Sequence, residues 1–154
     1  MRALVQRVNS ASVTIQSGPD EGLVTARIGK GLLALVGVTH EDAPTQAEAL
    51  AAKIWNLRVF EDPVGGSDGR MDLSVGSVGA EILVVSQFTL YGDTRKGRRP
   101  SWIQAASPDQ AEPLIGMLCD ELRALGAKVG TGRFRADMAV ELVNDGPVTL
   151  LLEV

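Results

Sequence analysis

Four turn-forming residues, Asn144-Asp145-Gly146-Pro147, break an otherwise apolar stretch near the C-terminal end of the chain, with "MAVELV" before them and "VTLLLEV" after. Proline has no N–H to give to a sheet ladder, so its place in a strand is restricted to edges, first positions and bulges. Two structures satisfy this placement: a short surface hairpin, or a rigid backbone device held between two strands. In either case the apolar flanks are strands, and a sheet has to be built around the interruption.

The remaining segments supply that sheet. "RALVQRV" and "ASVTI" read as two strands broken by Asn9-Ser10, and "LVTARI" and "GLLALVGV" as two more, with "GKG" as a hairpin turn. The period then changes. Thr45 and Glu48 have capping-box spacing, and Ala47, Leu50, Ala51, Ile54 and Leu57 follow one helical face. A second helix is predicted from Ser107 as N-cap, Pro108 at the first helical position and Gln110 completing the box. Ala111, Leu114, Ile115, Leu118, Leu122 and Leu125 form its buried stripe, and Gly126 ends it. Between the helices a Gly-rich stretch, residues 62–81, leads into "EILVVSQFTL", a run suited to a strand buried on both faces. No repeat or linker is visible. The order of elements predicts one α+β domain over residues 1–154, with a curved, mostly antiparallel sheet covered by two helices.

Composition narrows the chemistry. With 45% apolar and 22% charged residues, and no run approaching the length of a membrane span, the sequence suits a soluble globular protein. "MRALVQRVNS" lacks the layout of a signal peptide, and a cytoplasmic location is expected. A net charge of −4 disfavours coating of nucleic acid, with one local exception: Arg95, Lys96, Arg98 and Arg99 fall within five residues. That cluster is either a solvated loop or a small phosphate-contacting patch. His40 and Cys119 are the sole histidine and cysteine, so a Ser-His-Asp triad and the usual zinc sites are disfavoured, and Cys119 lies beside an apolar helical stripe as a structural thiol would. No P-loop or dinucleotide fingerprint occurs. What remains is a hydroxyl and amide set, Ser86, Gln87 and Thr89, where a buried strand ends. These residues either satisfy neighbouring backbone or floor a pocket whose N–H groups face an oxyanion. Thr149 is either an ordinary strand residue or a further hydroxyl facing that pocket.

"SQFTL" (86–90) paired with "NDGPVT" (144–149) resembles the double signature of the D-aminoacyl-tRNA deacylase family. "ALVQRV", "LVGV", "KGRRPSW" and "GRFRADM" extend the resemblance over the whole chain, with two departures: Arg135 stands where the family usually has Gly or Ala, and Trp102 where Phe is common. The resemblance implies a barrel-like sheet with two helices, a homodimer, and hydrolysis of the ester joining a D-amino acid to the 3′-terminal adenosine of tRNA. Glycyl-tRNA is implied as a second substrate, and no cofactor or metal is. It further implies a cis Gly146-Pro147 bond in a sharp reversal of the chain, whose carbonyls reach the partner's site. There, with the Phe134 carbonyl, they would hold the substrate ammonium and exclude an L side chain. Arg7 and Asn144 would support that element. The Phe88 N–H, with Thr89 near it, would face the oxyanion, Ser86 and Gln87 would fix adenosine and carbonyl, and the ribose 2′-hydroxyl would assist attack by water. Arg95, Lys96, Arg98 and Arg99 are candidate contacts to the tRNA backbone. A non-enzymatic nucleic-acid-binding module using the "RKGRR" loop is the alternative.

Overall fold

A computed structural model of the chain describes residues 1–62, 70–95 and 97–154. Its frame is a long strand, β1 (Arg2–Ile15), antiparallel along its whole length to a slightly longer one, β8 (Met138–Glu153). On the other edge of β1 lie β2 (Val24–Ile28) and β3 (Gly31–Gly37), placed end to end. β6 (Glu81–Ser86) pairs with β3, and β7 (Lys128–Thr131) with β6, both in parallel. Parallel neighbours need a crossover connection, and the two helices supply it: α1 (Pro44–Trp55) between β3 and β6, α2 (Pro108–Ala124) between β6 and β7. The sheet curls until β7 faces β2, where a Cβ added at Gly130 would lie 3.1 Å from the Ala26 Cβ. This is an α+β, barrel-like fold. A small ribbon, β4 (Arg58–Phe60) with β5 (Leu73–Ser74), forms a separate sheet whose Val59 and Phe60 are buried in the core beneath the helices. No helix among the described residues is long and apolar enough to cross a membrane.

Alternation along β6 explains its unbroken apolar run. Ile82 and Val84 join the core beneath the helices with Leu50, Ile54, Leu118 and Leu122, whereas Leu83 and Val85 join a second core inside the curl with Val8, Val13, Ile28 and Leu33. Close packing also fixes a glycine. A Cβ at Gly31 would meet the Glu81 carbonyl oxygen at 2.0 Å, so β3 and β6 approach as they do only because that residue has no side chain.

Several expectations are corrected. "RALVQRV" and "ASVTI" are one strand, with Asn9 and Ser10 exposed at irregularities in the β1–β8 register. "GKG" is not a hairpin turn: Ala11 faces Ile28 and Val8 faces Gly31, so the register on β1 is unchanged across it. α1 begins at Pro44 with Ala43 as N-cap, and the Gln46 side chain accepts from the Ala43 N–H at 3.0 Å, a role the spacing had given to Glu48. Ser107 and Pro108 do start α2, but Gln110 donates to the His40 carbonyl at 2.8 Å instead of closing a box. Leu125 lies at the C-cap and is exposed, while Cys119 is buried in its stead. The Gly-rich stretch after α1 lies partly outside the described residues.

The C-terminal interruption is a bulge. Val8 faces Asn144 and Gln6 faces Thr149, so Arg7 alone stands opposite the four residues from Asp145 to Val148. Both flanks run antiparallel to β1, and the expected chain reversal is therefore absent. The surplus residues stand out from the ladder while the strand continues through them.

Candidate active site

Where β6 ends, the Gln87 N–H still bonds to the Val36 carbonyl at 2.7 Å, and the chain then turns into a 3₁₀ helix, Phe88–Tyr91. The N–H groups that head such a turn have no earlier carbonyl of the turn to bond. Phe88, at the head of the turn, lines a cleft of about 570 Å³. Val85, Ser86, Gln87 and Phe88 form one wall, residues Phe134–Met138 with Val140 a second, and Val38, Trp102, Ala105, Ala106, Pro108 and Ala111 the remainder. Phe88 is 56% exposed and meets Trp102 edge to face, with ring centroids 5.4 Å apart. Trp102 and its neighbours are tied back by an isolated bridge, Thr39 to Ala105, and by His40, whose Nε2 lies 2.8 Å from the Ile103 carbonyl.

The cleft brings together Ser86, Gln87, Phe88 and Phe134, with Thr89 next to them in the turn. The Gln87 side-chain amide donates to the Thr89 hydroxyl oxygen. Gly146, Pro147 and Thr149 are not among the residues lining their own chain's cleft. They lie on β8, exposed, where the Thr149 hydroxyl accepts from the Gln6 amide at 3.1 Å. The Gly146–Pro147 peptide is cis. Its surroundings are well fixed. Arg7, only 6% exposed, places Nε 2.8 Å from the Asp145 carboxylate and donates from Nη1 to the Val59 carbonyl at 2.5 Å. Asn144 donates to the carbonyls of Arg7 at 2.9 Å and Val148 at 3.1 Å, spanning the base of the bulge. An Arg on the outer face of a strand would have no such partners.

The basic cluster is divided. Arg95 is bound by Asp93 through two side-chain contacts of 3.0 and 2.8 Å, and these bonds pull the Asp93 pKa down to about 2. Arg98 and Arg99 are exposed on the same loop, which is closed by paired backbone bonds between Asp93 and Ser101. Lys96 lies outside the described residues.

Sequence reasoning missed Asp137, the one carboxylate lining the cleft among the described residues, and the apolar lining made by Val38, Ala105 and Ala106. Alanines in a loop carry no signal of their own, and an Asp beside an apolar strand reads as a solvated end. Among the described residues no group of three His, Cys, Asp or Glu side chains is placed to hold a metal ion.

Two protons are held away from the cleft. Burial pushes the Cys119 thiol up to about 11, and burial followed by the nearby Asp42 charge pushes Tyr91 up to about 12. Both folded values lie above the ordinary ones of 9.0 and 10.0, so at high pH the unfolded chain binds fewer protons than the folded one. The stability these groups contribute should be complete below about pH 9 and fall as pH rises toward 11 and 12. Urea unfolding from pH 7 to 11 checks it, and an unfolding midpoint that rises above pH 9 would contradict it.

A family model described as D-Tyr-tRNA(Tyr) deacylase matches residues 4–153. A D-aminoacyl-tRNA deacylase of Thermobifida fusca (strain YX) is 56% identical over 155 residues, covering 100% of both chains. One from Acidothermus cellulolyticus is 57% identical over 154 residues, covering 100% of this chain and 99% of the relative. A solved structure of the c-Myc DNA Unwinding Element Binding Protein superposes with a TM-score of 0.89 at 40% identity, over 100% of this chain and 99% of that one. A probable eukaryotic D-amino acid tRNA deacylase, 15% identical with a TM-score of 0.82 over 99% and 98% of the two chains, shares the fold. The family model and the full-length relatives thus define the class, that of the deacylases. Within it, the chain belongs to the D-Tyr-tRNA(Tyr) deacylase family.

Proposed function

We propose that the protein hydrolyses the ester joining a D-amino acid to the 3′-terminal adenosine of tRNA, in the cytoplasm, releasing the free D-amino acid and the tRNA. The observation that carries this reading is a cleft lined at the end of β6 by Ser86, Gln87 and Phe88 and on the facing wall by Arg135 and Asp137, with no histidine or thiol among the described residues of its lining. Such a lining suits an ester that is already activated. Water adds to the carbonyl carbon, and the oxyanion forms against the Phe88 N–H, with Thr89 beside it. As the tetrahedral intermediate collapses, the C–O bond breaks and the ribose 3′-oxygen leaves with a proton. The neighbouring 2′-hydroxyl is the group positioned to orient the water and relay that proton. Ser86 and Gln87 fix the adenosine and the carbonyl. A covalent route through Thr89 or Thr149 lacks a base, because each hydroxyl faces a glutamine amide.

Chirality is read by main chain. The carbonyls of Gly146 and Pro147, lent by the second subunit of a homodimer, hold the substrate ammonium together with the Phe134 carbonyl. An L side chain then meets the Gly-Pro wall, a D side chain points to solvent, and glycine passes. Two features support the arrangement. β8 is an edge strand with Val143 and Leu151 each 55% exposed, an apolar surface of the kind a second copy covers. The bulge projects from this strand and is clamped at its base by Arg7 and Asn144.

A second reading, nucleic-acid binding without catalysis, is favoured by the name of the solved relative at 40% identity and by the exposure of Arg98 and Arg99. One assay separates the two. Purified protein should release D-tyrosine from D-tyrosyl-tRNA while L-tyrosyl-tRNA decays at its uncatalysed rate; background rates on both, with tRNA binding retained, would favour the second reading.

A further inference from the structure

We propose that Arg135 holds the phosphodiester on the 5′ side of the substrate's terminal adenosine, an assignment that rests on the aminoacyl-tRNA reading of the cleft. The Ala136 N–H donates to the Arg133 carbonyl at 3.3 Å and closes a tight turn with Phe134 and Arg135 at its centre. Arg135 takes a φ of +62°, and it is the one residue other than glycine with positive φ among the described residues. The third position of such a turn favours glycine when φ is positive, since an L side chain is crowded there. A crowded backbone at the wall of a cleft points to a side chain retained for what it contacts. Its charge is also unspent. Arg133, two residues earlier, is ion-paired with Asp20, whereas Arg135 is exposed on the cleft wall with no carboxylate partner among the described residues.

The chemistry of the substrate selects the contact. The aminoacyl end carries an ammonium, which a guanidinium repels. The other ionised group of the terminal nucleotide is its 5′ phosphate, whose oxygens match the guanidinium fork with two parallel bonds. Phe134 and Arg135 would then divide the work of one turn: a main-chain carbonyl for the amino group and a long cationic side chain for the phosphate.

The test compares the unsubstituted protein with Arg135→Gly and Arg135→Gln on D-tyrosyl-tRNA and on D-tyrosyl-adenosine, which lacks that phosphate. Both variants should lose about tenfold in kcat/KM on the tRNA substrate, through KM, and should match the unsubstituted protein on the adenosine ester. The fall of log kcat/KM with log salt should become shallower by about 0.7, the value of one single-strand phosphate contact. Arg135→Lys should recover part of the loss, and Arg135→Gly should melt no lower than the parent. Equal losses on both substrates, or no loss on the tRNA substrate, would overturn the assignment. Failure of the unsubstituted protein to cleave either substrate would remove the deacylase reading itself, and this assignment with it.

Discussion

D-Tyrosyl-tRNA ending in 2′-deoxyadenosine should be cleaved more slowly than the natural substrate by about 10²-fold or more. The size follows from what the cleft lacks. Proton transfer by a well-placed group contributes on the order of 10² to 10⁴ in rate, and among the described residues neither histidine nor thiol lines the site to supply it. If the ribose 2′-hydroxyl performs that transfer, removing it removes the whole contribution at once. Thr89→Ala should cost much less, because its hydroxyl accepts a bond from Gln87 and has no base beside it. Asp137→Asn is the necessary control, since Asp137 is the single carboxylate in the lining among the described residues. Single-turnover rates on the two substrates decide the matter. Full activity on the 2′-deoxy substrate, or a 10²-fold loss in Asp137→Asn, would transfer the role from the substrate to the protein.

Arg7→Ala should destabilise the fold by about 1–3 kcal/mol, the cost of leaving a buried polar group without its hydrogen-bond partner, because the Asp145 side chain, 31% exposed, keeps access to water. Truncation leaves the Val59 carbonyl without its donor and the Asp145 carboxylate without its cation, beneath the bulge of β8. The same variant, at a temperature where it remains folded, should discriminate less between D- and L-tyrosyl-tRNA, because the base of the bulge is then held by Asn144 alone. Arg7→Lys should not restore either property, since an ammonium cannot reach the carboxylate and the carbonyl in the same fork. Urea unfolding with a parallel D/L assay gives both readouts. A loss below about 1 kcal/mol, the range of exposed pairs, with selectivity intact would show that the clamp is dispensable.

What could be read from the residues depended on whether the signal was local. The stripes of α1 and α2 and the apolar run of β6 were legible because each follows from the period of a single element. The sheet was less so. Asn9-Ser10 and the residues from Asn144 to Pro147 look like turns in sequence, yet they lie at irregularities inside strands, because partner choice is made by distant segments. The parallel β3–β6 and β6–β7 pairs were hidden for the same reason. At the site, Ser86, Gln87 and Thr89 stand out as polar residues at a strand end with two readings, and Phe88 and Phe134 enter only through the family resemblance. Ala105 and Ala106 line the cleft where main-chain pairing with Val38 and Thr39 holds them, and no local pattern announces that.

The excess of residues in β8 opposite Arg7 buffers the length of the chain. On either side of it the facing of β8 is set by pairing with β1, through Asn144 with Val8 and Thr149 with Gln6. A residue gained or lost between those pairs therefore alters how far the loop of main chain projects and leaves the ladder in place. The same change between Thr149 and Glu153 would slip the ladder and turn every later side chain to the other face, with Leu152 drawn out of the core. Length variation should therefore be tolerated opposite Arg7 and excluded from the last five residues of β8.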